Sequence, residues 1–147
     1  MEFDENNEFE EQEDNAVEIY SKWAIFGFSI IPSPLFGGVL LMINLQAAGY
    51  KKAMYGVLAF VVLYIFGTDM LINRFYPVPK VINPNIIDKN LLILAGISIG
   101  VNIIGGAILS FYFFKKYFPD EDYFPKSILT PLLIAFVLLL MTRFFGI

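Results

Sequence analysis

The sequence of 147 residues contains no cysteine and no histidine. These absences exclude disulfides, thiol nucleophiles, zinc sites built from Cys and His, and haem held by histidine. They also remove the side chain that most often transfers protons near neutral pH. The sequence shows no nucleotide-binding, hydrolase or zinc-protease motif and no basic patch for nucleic acid. We therefore expect no enzyme activity, no cofactor, no metal site and no nucleic-acid partner.

Charged residues are scarce, at 16% of the chain against about 25% in a typical soluble domain. Nine of the 14 acidic residues lie in the first 18 positions, so the remainder of the chain is slightly basic. Segment 1–18 has no apolar period and cannot bury enough surface to offset its ordering entropy. We predict a disordered acidic tail at 1–18, followed by a single domain at 19–147.

Long apolar runs fill this domain, and apolar residues make up 57% of the chain. Four runs each meet the requirement of about 20 residues for crossing a hydrocarbon core of about 30 Å. They predict four transmembrane helices, at about 23–45, 53–72, 91–114 and 127–147. The predicted fold class is all-α: a polytopic membrane protein with a compact four-helix bundle, partnered by the lipid bilayer.

Three short segments connect the runs. Segment 46–52 predicts a tight turn with Gly49 at a helix C-cap, and the three prolines of 73–90 argue against a helix there. Segment 115–126 contains Asp-Glu-Asp at 120–122, either a solvated turn or a weak divalent-cation site. With four crossings, lysine and arginine divide five against five between the two sides, so they give no orientation. We expect both termini in the cytoplasm, the common arrangement for an even number of spans.

A weak internal repeat is also present. Shifting the sequence by 68 residues aligns Gly37 and Gly38 with Gly105 and Gly106. Such a repeat predicts two related helical hairpins, although Ile-rich apolar segments produce several matches by composition alone.

Two prolines interrupt the first apolar run. Pro32 and Pro34 lie about ten residues into it and each removes a backbone donor, so carbonyls freed there need partners that lipid cannot supply. One interpretation is a broken helix whose carbonyls line a substrate or ion site, as in many transporters. The other is a plain kink that neighbouring helices pack against.

Small residues recur every four positions on the first and third runs, at Ser29, Ser33, Gly37, Ser98, Asn102, Gly106 and Ser110, with a further pair at Gly96 and Gly100. Close approach through small residues is a main source of adhesion between helices in lipid. The stripes predict either packing of the first helix on the third or an interface between copies of the chain. In both cases Asn102 needs a hydrogen-bond partner.

Asp69 and Arg143 are the only charged residues well inside the apolar runs. The second and fourth runs travel in the same direction, which places both residues at a similar depth and allows an ion pair. A charged residue within the membrane suggests a proton or ion pathway. Alternatively, Arg143 extends to the interface while Asp69 pairs with Arg74 or meets headgroup water.

The stretch from Phe36 to Ala53 (FGGVLLMINLQAAGYKKA) resembles a pattern in small bacterial inner-membrane proteins of uncharacterised activity. In that group, a Gly-Gly pair in the first span precedes Asn-Leu, a glycine and two basic residues; here they are Gly37, Gly38, Asn44, Gly49 and the lysines that follow. The resemblance implies a multi-pass protein of the bacterial inner membrane, and Asn44 is a candidate polar or packing position within the membrane. It implies no activity.

Two functions fit these features. The first is an accessory or scaffold protein that packs with itself or with other membrane proteins. The alternative is a small oligomeric transporter or channel, with a site at the Pro32–Pro34 break and with Asn102 and Asp69 nearby. A broken helix that faces a polar cavity favours transport, whereas a continuous kinked helix in a dry bundle favours the accessory function.

Overall fold

A computed structural model describes residues 17–76, 89–119 and 123–145, apart from the side chains of 142, 143 and 145. Most of the predicted tail, the prolines between 77 and 88 and the Asp-Glu-Asp turn lie outside the described residues. The elements are β1 (Glu18–Ile19), α1 (Lys22–Ile30), α2 (Pro34–Ala47), α3 (Lys51–Phe75), α4 (Lys89–Ala107), a π-helical segment (Ile108–Phe114), α5 (Lys115–Tyr117), β2 (Phe124–Pro125) and α6 (Leu129–Phe145). The described chain is mostly helical, which confirms the all-α prediction.

The first apolar run does not form one helix. It folds into an antiparallel hairpin of α1 and α2, whose tip is Ile31–Ser33. Tyr20, just before α1, hydrogen-bonds to Asn44 near the end of α2. With 9 and 14 residues, α1 and α2 are about 14 and 21 Å long, and neither alone reaches across about 30 Å. The predicted single helix at 23–45 was therefore wrong, and its two prolines cause a reversal of direction.

The second and third predicted spans lie within long helices. Helix α3 has 25 residues, and α4 continues through the π-helical segment and α5 as one rod of 29 residues, Lys89–Tyr117. Within the described residues, these are the two helices long and apolar enough to cross a membrane. Helix α3 also continues to Phe75, past the predicted end of the second span.

Helix α6 lies within the fourth apolar run, and residues 146 and 147 of that run lie outside the described residues. It begins at Leu129, two residues later than predicted, and has 17 residues, to Phe145. Ala135 is its only buried side chain among those described. Helix α6 therefore packs loosely, and the predicted compact bundle is better described as a hairpin held between α3 and α4, with α6 alongside.

The turn between α2 and α3 agrees with the prediction. Gly49 has a φ of 81°, a conformation that a residue with a Cβ rarely adopts. The Tyr50 N–H donates to the Leu45 carbonyl at 2.8 Å, and the Gly49 N–H donates to the Gln46 carbonyl at 3.1 Å. These bonds satisfy the last carbonyls of α2 in the manner of a glycine C-cap, and they return the chain antiparallel to α2.

Small residues bring the hairpin close to α4. Ser29 on α1 contacts Gly37 on α2 and Gly106 on α4, where an added Cβ would lie 2.7 Å from the Ser29 Cβ. The predicted packing of the first run on the third is present, but Ser29 and Gly37 face each other across the hairpin and do not share one stripe. Gly96 and Gly100 have open space beside them.

The predicted repeat is also absent, because one aligned segment is a hairpin and the other a continuous rod.

Two short strands lie at one end of the helices. Strand β1 pairs in parallel with β2, and the Lys126 N–H donates to the Ile19 carbonyl at 2.9 Å. Glu18, the last residue of the predicted tail, belongs to β1. This end also carries six lysines and is called the lysine-rich end below; they are Lys22, Lys51, Lys52, Lys115, Lys116 and Lys126.

Candidate functional site

The hairpin tip creates a polar region between α3 and α4. Because Pro34 has no N–H, the carbonyl of Ile30, four residues earlier, lacks its usual helical donor. The side-chain amide of Asn102 on α4 donates to that carbonyl at 3.3 Å. The expectation that Asn102 finds a partner is thus confirmed, and the partner is a carbonyl freed by the proline break.

Tyr64 of α3 ties α4 to the same region. Its hydroxyl donates to the Val101 carbonyl at 2.7 Å. An added Cβ on Gly105 would lie 2.7 Å from the Tyr64 ring and 2.9 Å from Pro34 Cγ. Gly105 therefore permits α2, α3 and α4 to meet at one point beside the tip.

A cavity of about 330 Å³, called the tip pocket below, lies beyond the tip on the side away from the lysine-rich end. Its polar lining residues come from the tip, α3 and α4: Ser33, Tyr64, Thr68, Asp69, Ser98 and Asn102. Pro32 and Pro34 line it as well, so the structure brings the proline break, Asn102 and Asp69 to one place.

Among the described residues, Asp69 is the only one with a charged side chain that lines the tip pocket. The Thr68 hydroxyl beside it donates to the carbonyls of Tyr64 and Ile65, which leaves its oxygen lone pairs available to the pocket. The described lining of the pocket therefore presents oxygen atoms and one negative charge. Such a lining attracts small cations and disfavours anions.

The remaining candidates lie elsewhere. Gly37 and Gly38 are buried packing positions, where an added Cβ on Gly38 would lie 2.5 Å from Val61 of α3. Asn44 closes the base of the hairpin at the opposite end from the tip. Arg143 belongs to α6, but its side chain lies outside the described residues, so its pairing with Asp69 stays a prediction.

Sequence reasoning did not select Tyr64 or Thr68. Both are uncharged and lie in a run that otherwise reads as a plain apolar span. The available signal was the i, i+4 spacing of Tyr64 and Thr68, which places both on one face of a helix, with Asp69 adjacent in sequence. Their importance depends on the hairpin tip, which the sequence did not reveal as a reversal.

Comparisons with known proteins do not identify a family. No family model matches the chain, and neither a curated protein nor a solved structure shows significant similarity to it. The bacterial inner-membrane setting suggested by residues 36–53 therefore stays a prediction.

Proposed function

We propose that the chain is an integral membrane protein with three crossings and one re-entrant hairpin. Helices α3 and the α4–α5 rod have the length and composition of spans. Helix α6 is the third crossing in this proposal. It is about 26 Å long, and the hydrocarbon core is about 30 Å thick. The hairpin enters and leaves on the lysine-rich side. Its backbone is irregular only at the tip, and there Asn102 of α4 supplies a donor to the freed Ile30 carbonyl, as irregular backbone within a membrane requires.

The hairpin changes the distribution of basic residues between the two sides. In this topology, Lys22 lies on the same side of the membrane as the five lysines of segments 46–52 and 115–126, so the lysine-rich side carries six basic residues. The opposite side carries four, which are Arg74, Lys80, Lys89 and Arg143. Because basic residues are enriched in cytoplasmic segments, this split favours a cytoplasmic lysine-rich side. The acidic tail is then cytoplasmic and the end of α6 lies across the membrane, in place of the same-side termini expected for four spans.

Within this topology, we infer that the protein transports or conducts small monovalent cations. The observation that carries the inference is the hairpin tip facing a polar pocket whose described lining contains one carboxylate, that of Asp69. Broken helices place freed carbonyls beside ions and substrates in transporters, and acidic residues within the membrane mark cation pathways. The tip separates the pocket from the lysine-rich side, so passage requires the tip to move.

Purified protein in sealed liposomes tests this function. Wild-type protein should admit Na⁺, K⁺ or protons faster than protein-free liposomes, measured with ion-sensitive dyes in the lumen. Asp69→Asn keeps the shape of the side chain and removes its charge. It should slow cation flux about tenfold, because it removes the negative charge of the described pocket lining, and a loss of about 1.4 kcal/mol of attraction corresponds to a factor of ten.

Glu18→Gln is the matched control, since it removes a carboxylate that lies in β1, away from the tip pocket. Its flux should equal that of the wild type. Cation flux no faster than in empty liposomes, or equal flux in Asp69→Asn and wild type, would contradict the transport function.

An accessory or scaffold function is the second candidate, and the loose packing of α6 favours it. Apolar grooves of about 330 and 210 Å³ lie between α6 and the hairpin. In this case, purification in mild detergent should yield a stoichiometric complex with further copies or with another membrane protein. A monomer that conducts cations alone would contradict the accessory function.

A further inference from the structure

The α4–α5 rod contains a wider stretch of helix close to its lysine-rich end. In the π-helical segment, Ile108–Phe114, backbone bonds reach one residue further than in an α-helix, so the segment holds an extra residue for its length. Aromatic contacts fix the rod where this segment ends. The Phe114 ring lies 5.1 Å from that of Phe118. The Tyr117 ring lies 5.7 Å from that of Tyr50, so the rod is anchored at its lysine-rich end.

Helix α4, by contrast, is largely exposed to its surroundings. Gly105 and Gly106 are its buried residues. The Tyr64 hydroxyl bonds to a backbone carbonyl, that of Val101, and any residue in that place would supply one. Gly105, Gly106 and Ala107 are three consecutive small residues. A shift of α4 by one residue would thus keep a glycine at the point that the Tyr64 ring approaches.

Ser110, within the π-helical segment, lacks a bond that the other buried or half-buried hydroxyls of the helices form. Ser29 and Thr68 donate to the carbonyls four residues earlier, at 2.8 and 2.7 Å. Ser110 is 1% exposed, yet its hydroxyl has no hydrogen-bond partner within the described residues. In an α-helix the Ser110 hydroxyl would reach the Gly106 carbonyl in the same way. The π-helical form therefore leaves unpaired a buried hydroxyl that an α-helical form would pair.

We propose that the π-helical segment converts reversibly to an α-helix and that this conversion turns α4 and regulates the tip pocket. In the α-helical form the extra residue would lengthen the rod, turning α4 by about 100° and moving it by about 1.5 Å along its axis. Each residue of α4 would then take the place of the one before it, an arrangement called the shifted register below. The regulation rests on the cation transport proposed above, whereas the turn of α4 does not.

The shifted register changes the lining of the tip pocket. Ile99 would take the place of Ser98, a polar lining residue. Ile103 would take that of Asn102, whose bond to the Ile30 carbonyl would break. One hydrogen bond is thus exchanged for another, because the serine hydroxyl of the π-helical segment becomes paired. The shifted register has a less polar pocket and a released tip, so it expels a cation as it frees the tip to move.

Distances between pairs of spin labels measure the turn, because the natural chain has no cysteine that would react. Gly100→Cys lies on α4, where an added Cβ meets open space, and Gln46→Cys marks the exposed end of α2. A helix about 10 Å wide that turns by about 100° moves a point on its surface by about 8 Å. Double electron–electron resonance on this pair should therefore resolve two distances. The matched control pair, Gln46→Cys with Lys116→Cys, lies wholly at the anchored end and should give one.

Two variants should change the ratio of the two registers in opposite directions. Ser110→Ala removes the hydroxyl that only the shifted register pairs, so it should lower the shifted fraction about tenfold. Ala107→Gly should raise that fraction about tenfold. In the shifted register Ala107 takes the place of Gly106, where an added Cβ would lie 2.7 Å from the Ser29 Cβ, and the variant removes this collision.

A single distance for the Gly100→Cys pair in the wild-type background and in both variants would overturn the proposal. So would a shifted fraction that neither variant changes. Cation flux into liposomes then separates the regulation from the transport function. Two distances together with a flux that Ser110→Ala lowers support the regulation, and a flux that Ser110→Ala leaves unchanged refutes it. Two distances without any cation flux would refute the transport function and leave the turn of α4 established.

Discussion

Asn44 is 1% exposed, and its side chain forms two hydrogen bonds with one residue. The Tyr20 N–H donates to its Oδ1 at 2.8 Å, and its Nδ2 donates to the Tyr20 carbonyl at 2.7 Å. The amide therefore acts like the backbone of a neighbouring strand and satisfies both polar groups of a buried residue. The Asn44 side chain thus joins Tyr20, just before α1, to the end of α2 and closes the base of the hairpin.

Asn44→Ala should lower the free energy of unfolding by about 2–4 kcal/mol, because it leaves a buried N–H and a buried carbonyl of Tyr20 unpaired. Thermal unfolding of the protein in detergent measures the effect. Gln46→Ala, at an exposed position two residues later in α2, should change the stability by no more than about 0.5 kcal/mol. Equal stability of the two variants would show that the two bonds to Tyr20 do not hold the hairpin.

At the scale of elements, the contact among α2, α3 and α4 depends on Gly105. Pro34 and Tyr64 approach this position from two different helices. The only residue that leaves room for both is one without a side chain. The contact holds the hairpin tip against the two long helices and determines where the tip pocket lies.

Gly105→Ala should destabilise the protein by about 1–3 kcal/mol, because the new methyl group collides with Tyr64 and Pro34 and forces the helices apart. Gly100→Ala, five residues earlier on α4, is the matched control. An added Cβ there meets no atom within 4 Å, and alanine favours a helix over glycine by about 1 kcal/mol. Thermal unfolding of both variants should thus give shifts of opposite sign, and a stabilising effect of Gly105→Ala would refute the close contact.

At the scale of the whole molecule, the hairpin determines the proposed topology. With it, β1 and the α2–α3 turn lie on one side of the membrane, and the end of α3 lies on the other. With a single helix over 23–45, β1 would instead share a side with the end of α3. The two arrangements therefore place only a few positions, β1 among them, on different sides of the membrane.

Single-cysteine variants distinguish the two arrangements, because the natural chain has no cysteine that would react. Glu18, Gln46 and Asn73 are exposed and suit the substitution. A membrane-impermeant maleimide added to intact cells should give Glu18→Cys and Gln46→Cys the same labelling and Asn73→Cys the opposite labelling. Permeabilised cells, in which all three should react, provide the control. Matching labels for Glu18→Cys and Asn73→Cys would support four crossings.

The sequence by itself determined the all-α class, the two long apolar helices and the glycine-capped turn at Gly49. These features depend on local composition: apolar runs of sufficient length and one glycine with left-handed geometry. It also marked Pro32 and Pro34 as a break, since a missing N–H is visible in any sequence. What it did not reveal was whether the chain bends or reverses at that break.

Only the tertiary structure decided that question. Reversal requires a surface for α2 to return along, and that surface exists because Gly37 and Gly106 let Ser29 pack closely from both sides. It also requires a donor for the freed Ile30 carbonyl, which Asn102 supplies from 72 residues away. Contacts between residues so distant in sequence leave no periodic pattern, so the hairpin and its polar pocket appear only when the helices are assembled.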